Sequence, residues 1–572
     1  MSRAVQLVAL ASVVALAVSF GVFRIAPIDV PVHLVSGRIL WTTGTQLTTN
    51  TLSWTYPDHP VDQQYPLYQV AVYLLDSRVG PWSLTVLCAA SWAAAVLAWL
   101  TWSGWRAAVG APAVWLFAVL GVQRHLVPRP EAFTVLGLGA LLLGWEVWRT
   151  TRSRWALAAM VVTQWLMVNT LQMFVVGVAL QLGLVLLLGV TRALRGRGWV
   201  DDADAALPLG PLVATVGASL AALSLSPNGL GVYTSPLALL RTVSELGTGS
   251  DLGVQSNELE PIWTEPIGFP VTLVLLAIAA VEAWRARGRW QLVELGVLAI
   301  GLAMVLTAMR GIPFFSLAAA AVATRWSARG PAWLPVDSPV HPTRAGLTAV
   351  VALGLLVATN TPQPYVYLQR QQGFGRSVGE WADTTTTFLR ASPPPGEMMN
   401  LGWVAANYLT YGVYPVRRVF VDGRWEAYPM PFLRDCVGMA ADRAALASMI
   451  EAWRPGFVVA EMRKPDQQTR LAELVLDRRA TLVHVDSIAA VAVLDVPGAA
   501  AYAAAHPVEL DRLEIPDWLP EHPVLHAQQQ IRVGRLLRLL GHTEAADALF
   551  AAAARVDHPA VKADLATVTP SG

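Results

Sequence analysis

Charge, lysine and cysteine are all scarce in this chain. Only 14% of its 572 residues are charged, against about a quarter in a soluble globular protein, which argues against a wholly soluble chain. Its 41 basic and 40 acidic residues leave a formal net charge of +1, so no global field directs it to nucleic acid. Cys88 sits in an apolar stretch and Cys436 in a distant polar one, which excludes a disulfide framework. Lysine is limited to Lys464 and Lys562. Nearly all positive charge is therefore Arg, a bias expected of a GC-rich, bacterial genome rather than of a particular chemistry.

What is abundant is apolar surface: 54% of residues are hydrophobic and the mean hydropathy is +0.46. Apolar spans fall at 4–23, 82–102, 107–122, 132–148, 155–169, 171–190, 208–226, 270–284, 291–309, 312–325 and 345–359, as expected of helices that cross about 30 Å of hydrocarbon. The first has no small-residue cleavage site before Arg24 and Asp29 and is followed by ten more, so it reads as a helix rather than a signal peptide.

Arginine placement sets an expected orientation. With a cytoplasmic N-terminus, the inside loops hold clusters such as Arg149, Arg152 and Arg154, or Arg285, Arg287 and Arg289, whereas outside loops hold mostly single arginines. That asymmetry follows the positive-inside rule and puts the C-terminal part outside, in the periplasm of a bacterial cell whose inner membrane holds the spans. Two outside loops, 24–80 and 227–269, are unusually long, and long loops in compact proteins are commonly functional.

Three domains are expected: a transmembrane domain at 1–360, an extracytoplasmic α/β domain at 361–504 and a helical tail at 505–572. In the second, apolar runs at 397–401, 417–422 and 456–461 alternate with amphipathic stretches, a strand–helix–strand order that predicts a βαβ layer. The runs 480–485 and 488–496 predict a hairpin at its edge. No Gly-rich loop follows the first strand, which argues against a nucleotide site. In the tail, Gly534, Gly541, Ala546, Phe550, Ala553 and Pro559 fit one tetratricopeptide-like repeat near 527–560. A single repeat has to pack on the preceding domain or complete a partner's array, so residues 361–572 are the expected site for a protein partner.

The first outside loop carries the chemistry-bearing residues. Asp29 and His33 are four apart, on one face if helical, and Asn50 and Tyr56-Pro57-Asp58-His59 follow. A carboxylate at the membrane–water boundary is costly unless hydrated, paired or used. The pattern Asp29-x-x-x-His33-Leu34-x-x-Gly37 resembles bacterial membrane proteins of the GT-C glycosyltransferase superfamily. So do Arg129-Pro130-Glu131, Asn169 with Phe174 and Gly177, Ser226-Pro227-Asn228-Gly229, Arg310-Gly311-Ile312-Pro313 and Val419-Phe420-Val421-Asp422-Gly423-Arg424, met in that order.

The resemblance implies a mainly α, polytopic enzyme of about eleven spans that transfers a sugar from a polyprenyl-phosphate carrier to a lipid, glycan or protein. Asp29 is then the candidate general base. His33 orients it or contacts the donor phosphate, and Asp58 assists as a second carboxylate or metal ligand. Arg124, Arg129 and Arg310 are candidates for clamping the lipid phosphate, with Asn169 and Glu258 as further substrate contacts. No metal site is evident in the residues, although the resemblance leaves room for Mg²⁺ or Mn²⁺. One departure favours a second reading: Leu171 stands where such relatives usually carry His, as expected of a non-catalytic scaffold or assembly subunit with the same fold. The Asp422–Arg424 pair is expected to be structural, after a strand.

Overall fold

The computed structural model describes residues 2–26, 29–61, 65–127, 129–170, 173–197, 204–237, 261–287, 289–329, 342–359, 371, 373–377, 379, 381–513, 515 and 522–568. The chain is mainly helical. In order come α1 (Ser2–Gly21), α2 (Val30–Thr43), α3 (Pro66–Arg78), α4 (Trp82–Ser103), α5 (Trp105–Gly110), α6 (Pro112–Val122) and α7 (Glu131–Thr151). They are followed by α8 (Arg154–Val168), α9 (Phe174–Ala193), α10 (Leu209–Leu223), α11 (Gly268–Arg285), α12 (Leu292–Thr307), α13 (Ile312–Arg329) and α14 (Pro342–Thr359). Helices α1, α4, α7, α9 and α11 are long and apolar enough to cross a membrane, and shorter apolar helices, α8, α10 and α12 among them, accompany these. This is a multi-pass membrane protein. The span expected at 107–122 is broken: Ala111 leaves helical geometry and Pro112 starts α6 anew, since proline has no N–H for the preceding turn.

The bundle closes around α13, whose residues Ile312–Thr324 are all buried. Its Ala318–Ala321 stretch lets neighbours approach closely. Gly121 on α6 is part of that contact, since a Cβ there would meet the Ser316 hydroxyl at 2.4 Å. Between α8, α9 and α10 runs a polar stitch: Gln181 donates to Gln164 at 3.0 Å, and Ser219 donates to Gln181 at 2.8 Å.

One end of the bundle is tied by ions. The Glu294 carboxylate, at the start of α12, is only 1% exposed and pairs with Arg325 at 2.6 Å and Arg329 at 2.5 Å. It also accepts the Trp326 indole N–H at 2.7 Å. Arg325 further reaches the Trp102 carbonyl, Gln291 and Glu146, and Arg149 joins Glu146 to Asp204.

At the opposite end the stretch 24–80 is not an open loop, as its length suggested, but carries α2 and α3. Pro31 and Pro66 lie in their first turns, and Gly44 ends α2 at φ 68° with its N–H on the Leu40 carbonyl, a left-handed closure that suits glycine. Gly37 is required where the two helices touch: a Cβ would lie 2.0 Å from the Gln69 carbonyl oxygen.

These helices share a core with the C-terminal region, where Val30, Leu34, Tyr68 and Val72 cluster with Met398, Tyr408, Phe457 and Val491. That region holds α15 (Asp383–Ala391), β1 (Met398–Asn400), α16 (Trp403–Val413), α17 (Met430–Ala441), α18 (Arg443–Trp453) and β2 (Phe457–Glu461). Then come α19 (Pro465–Leu476), β3 (Ala480–Val485), β4 (Ala489–Leu494), α20 (Ala499–Ala505), α21 (Pro523–Leu539), α22 (Thr543–Ala554) and α23 (Pro559–Ala566). The sheet order is β1-β2-β4-β3, with β1 and β2 parallel and the β3–β4 hairpin antiparallel at the edge.

The strand expected at 417–422 does not join this sheet. It pairs elsewhere: Val419 donates its N–H to the Leu52 carbonyl at 3.3 Å and accepts the Trp54 N–H at 3.1 Å in an isolated parallel bridge, and Asn400 accepts from the Phe420 N–H at 2.9 Å and donates to the Val421 carbonyl at 2.7 Å. Ser53 and Thr55 both donate to the Phe420 carbonyl at 2.9 Å. The tail helices pack on this region, with Ile531, Val533 and Leu537 in one core with Leu471 and Leu482.

Candidate active site at the open end of the bundle

Asp29 immediately precedes α2, and its carbonyl accepts the His33 N–H at 3.1 Å. The register places His33 one turn above it. The Asp29 carboxylate, 41% exposed, pairs with Arg129 at 2.9 Å. Arg129 stands two residues before α7, whose first residue is Glu131, a position where the helix dipole favours a carboxylate. Glu131 in turn lies 3.9 Å from Arg310, which sits in the short turn Met309–Gly311 between α12 and α13. Gly311 permits that turn, because a Cβ there would lie 2.4 Å from the Met304 carbonyl oxygen. A separate pair joins Arg124 to Glu265 at 2.8 Å.

His33 is buried, edge-on to Tyr65 and Tyr68 at 5.2 and 5.1 Å between ring centroids. Burial lowers its pKa to about 4 despite Asp29 and Glu131, with Arg129 adding to the fall. The imidazole is therefore neutral near pH 7, and its Nδ1 has no hydrogen-bond partner among the described residues. A neutral ring can orient a carboxylate or hydroxyl but supplies no cation to a phosphate.

The C-terminal region closes over this cluster. Arg424 is held by Asp422 at 2.7 Å and donates to Asn50 at 2.6 Å, while Asn50 donates to the Ala427 carbonyl at 3.0 Å. The Asp422–Arg424 pair thus anchors the turn carrying Glu426 to the segment after α2. Burial raises the Glu426 carboxyl above its ordinary value, opposed by Arg424, with Asp422 and Asp29 adding to the rise. Burial likewise raises the Tyr65 phenol, with Glu426, Glu131 and Asp29 adding and Arg310 opposing.

Beneath Asp29 and Arg129 an apolar crevice runs between α2, α3, α4 and α7. Val72, Leu84, Leu87, Cys88, Ala132 and Phe133 line it, and Arg129 is the charged residue on its wall.

Of the residues expected from sequence, Asp29, His33, Arg129 and Arg310 come together here. Arg124 pairs apart from them with Glu265. Asp58 lies exposed in the turn after Tyr56, with no ion pair to the cluster. Asn169 is buried at the end of α8, donating to the Trp165 carbonyl at 2.8 Å while its own carbonyl accepts the Leu67 N–H at 3.1 Å; it fixes the start of α3 beside Tyr65. Glu258 and Leu171 lie outside the described residues. Sequence reasoning missed Tyr65, Glu265 and Glu426, and took Glu131 only as part of a motif. Among the described residues no three His, Cys, Asp or Glu side chains converge to hold a metal, so these groups do not by themselves fit a divalent cation.

The architecture has solved counterparts. The archaeal oligosaccharyltransferase AglB from Archaeoglobus fulgidus, in complex with an inhibitory peptide and a dolichol-phosphate, superposes with a TM-score of 0.56 at 12% identity. The match covers 84% of this chain and 72% of that one. The apo oligosaccharyltransferase of the same organism gives 0.53 at 11% identity, over 81% and 71%. This chain shares their fold. At such identity the likeness extends to the fold alone. No protein-family model matches the chain, and no curated protein matches it in sequence.

Proposed function

We propose that this protein is a membrane glycosyltransferase that moves a sugar from a polyprenyl-phosphate carrier to an extracytoplasmic lipid, glycan or protein. The observation that carries the reading is the ion pair between a half-exposed Asp29 and Arg129, which also lines a narrow apolar crevice. A cation beside apolar side chains and a carboxylate open to water is the combination that a lipid phosphate carrying a polar head calls for. In this reading Asp29 removes the proton from the acceptor nucleophile as it attacks the anomeric carbon. The bond from that carbon to the phosphate oxygen breaks, its electron pair leaves with the lipid phosphate, and Arg129 and Arg310 stabilise that charge. The site faces the periplasm of a bacterial inner membrane, with a cytoplasmic N-terminus, about eleven spans and an external C-terminal domain. The tail hairpin, tetratricopeptide-like in its spacing, supports contact with a partner.

A second reading, a non-catalytic scaffold of the same fold, is favoured by one observation: Arg124, Arg129 and Arg310 each already face a carboxylate. The two readings separate in one experiment. Purified, lipid-reconstituted protein is supplied with radiolabelled polyprenyl-phosphate sugars and plausible acceptors, beside Asp29→Asn. Turnover that the substitution removes supports the transferase and its base. Turnover indifferent to Asp29 overturns the site, and none with any carrier moves the assignment to the scaffold.

A further inference from the structure

A cavity of about 280 Å³ lies where the α2–α3 pair meets Arg376 and α16 of the C-terminal region. Leu34, Val35 and Pro81 contribute its apolar lining, and Arg38, Asp76 and Arg376 are its charged residues. No residue assigned to sugar transfer lines it. Arg38 lies nine residues after Asp29, about 13 Å further along a helix that rises 1.5 Å per residue.

The charges here do not cancel. Asp76, the carboxylate of the lining, is taken up by Arg376 at 2.8 Å and by the Tyr411 hydroxyl at 3.3 Å. Arg38 donates to the Tyr414 carbonyl at 2.8 Å but makes no ion pair among the described residues. Arg376, besides its bond to Asp76, carries a buried Nε with no hydrogen-bond partner among the described residues. Arg38 also borders a neighbouring cavity of about 240 Å³, where Asp383 and Arg390 add one charge of each sign, so the positive surplus stands. The unfilled requirement is therefore an anionic acceptor.

The position favours phosphate. Pro81 immediately precedes α4, which is long and apolar enough to cross a membrane. Trp82 and Trp41, the latter three residues after Arg38, are both half exposed, and Arg78 lies over the Trp41 ring at 5.4 Å. Half-exposed indoles with a basic residue at a helix end mark the interfacial layer, where lipid phosphates lie. We propose that this cavity binds a phosphate group between Arg38 and Arg376, separate from the carrier phosphate of the transfer site. A phosphate offers acceptor oxygens in several directions and meets guanidinium groups on two walls, whereas a carboxylate pairs in one plane. The same group comes as a free anion or on a lipid headgroup.

The test uses full-length protein in neutral detergent, titrated in a calorimeter with inorganic phosphate, with dihexanoyl-phosphatidate and with dihexanoylglycerol as the phosphate-free control. Saturable binding of a phosphate probe and none of the control is expected; inorganic phosphate binding alone identifies a free-anion site, and phosphatidate binding alone a headgroup site. Arg38→Gln should weaken that binding roughly tenfold, as for loss of one charge-assisted contact, and Arg38→Lys should recover part of it. Ser77 is exposed on the cavity lining and its hydroxyl donates to the Tyr73 carbonyl of its own helix at 2.6 Å. Ser77→Glu should therefore weaken binding by repulsion at an unchanged unfolding midpoint, while Ser77→Gln keeps it. No saturable binding of either phosphate probe, binding that Arg38→Gln and Ser77→Glu leave unchanged, or binding removed by Arg129→Gln instead overturns the proposal. Binding is read without turnover, so its failure leaves the transferase reading standing.

Discussion

The two ends of the helical bundle hold the same residue types and use them differently. At the closed end Glu294 is 1% exposed and is met by two arginines and an indole N–H within 2.7 Å. At the open end Asp29 is 41% exposed and pairs with Arg129, the Glu131–Arg310 contact is 3.9 Å long, and His33 keeps a buried nitrogen without a partner among the described residues. Saturated ion networks fix helices in place. A loosely paired, half-open one keeps field and hydrogen-bonding capacity for something that arrives later. The difference lies in density and exposure: the Glu294 network is short and buried, whereas the Asp29–Arg129 and Glu131–Arg310 contacts are longer and more open to water.

Several substitutions would break or sharpen that contrast. The largest effect is expected from Arg325→Met, which leaves Glu294 and Glu146 short of a cation at the closed end. Removing one partner of a buried pair costs about 3–5 kcal/mol, so the unfolding midpoint in detergent should fall sharply; an unmoved midpoint would break the contrast from the stability side.

Next is Arg129→Gln at the open end. It should lower transfer roughly 10²-fold or more, as loss of a preorganised charge donor does, yet cost less stability than Arg325→Met, because its partner Asp29 is 41% exposed and left in water. Transfer rates with the variant and wild type, normalised to folded protein, decide this.

A smaller effect concerns pH. His33 titrates at about 4 in the folded chain and at about 6.5 when unfolded, so the unfolded state binds more protons between these values. Stability should therefore rise with pH from about 4 to 6.5 and level off above. His33→Phe should flatten that slope in midpoints measured against pH, and an unchanged slope would remove His33 as its source. The smallest effect is expected from Asp58→Asn, which should shift stability by less than about 0.5 kcal/mol and leave transfer intact; a large loss would return Asp58 to the site.

Much of the architecture was legible because membrane helices announce themselves by length and apolarity: apart from 107–122, which Pro112 breaks, each apolar stretch has a helix within a few residues of it. Pairings were less so. Arg129 and Asp29 are exactly the kind of boundary charges a sequence exposes, but their contact spans 100 positions of chain. Glu265 is not marked by its sequence, since its Trp263-Thr264-Glu265-Pro266 setting carries no motif and its partner Arg124 lies 141 positions away. Glu426 could not be read, since only the fold brings its turn, held by Asn50, toward α2. The run 417–422 misled for a physical reason: residues 419–422 are buried like a strand, but Val419 bridges the backbone of the 52–54 segment instead of the sheet, and Asn400, Ser53 and Thr55 side chains complete its neighbours. The stretch 24–80 was read as a loop because α2 and α3 are short and only moderately apolar, and their burial depends on a sheet more than 300 residues away.

The most direct test of the account places Asp29→Asn beside Glu294→Gln and measures both sugar transfer and unfolding midpoint for each, in the same lipid and with the same carrier. A crossed pattern is predicted: Asp29→Asn loses transfer and keeps its midpoint, while Glu294→Gln loses midpoint and keeps transfer per folded molecule. If both variants lose stability alike, or if Asp29→Asn turns over as fast as the wild type, the division between a closed end that holds the fold and an open end that does the chemistry is contradicted.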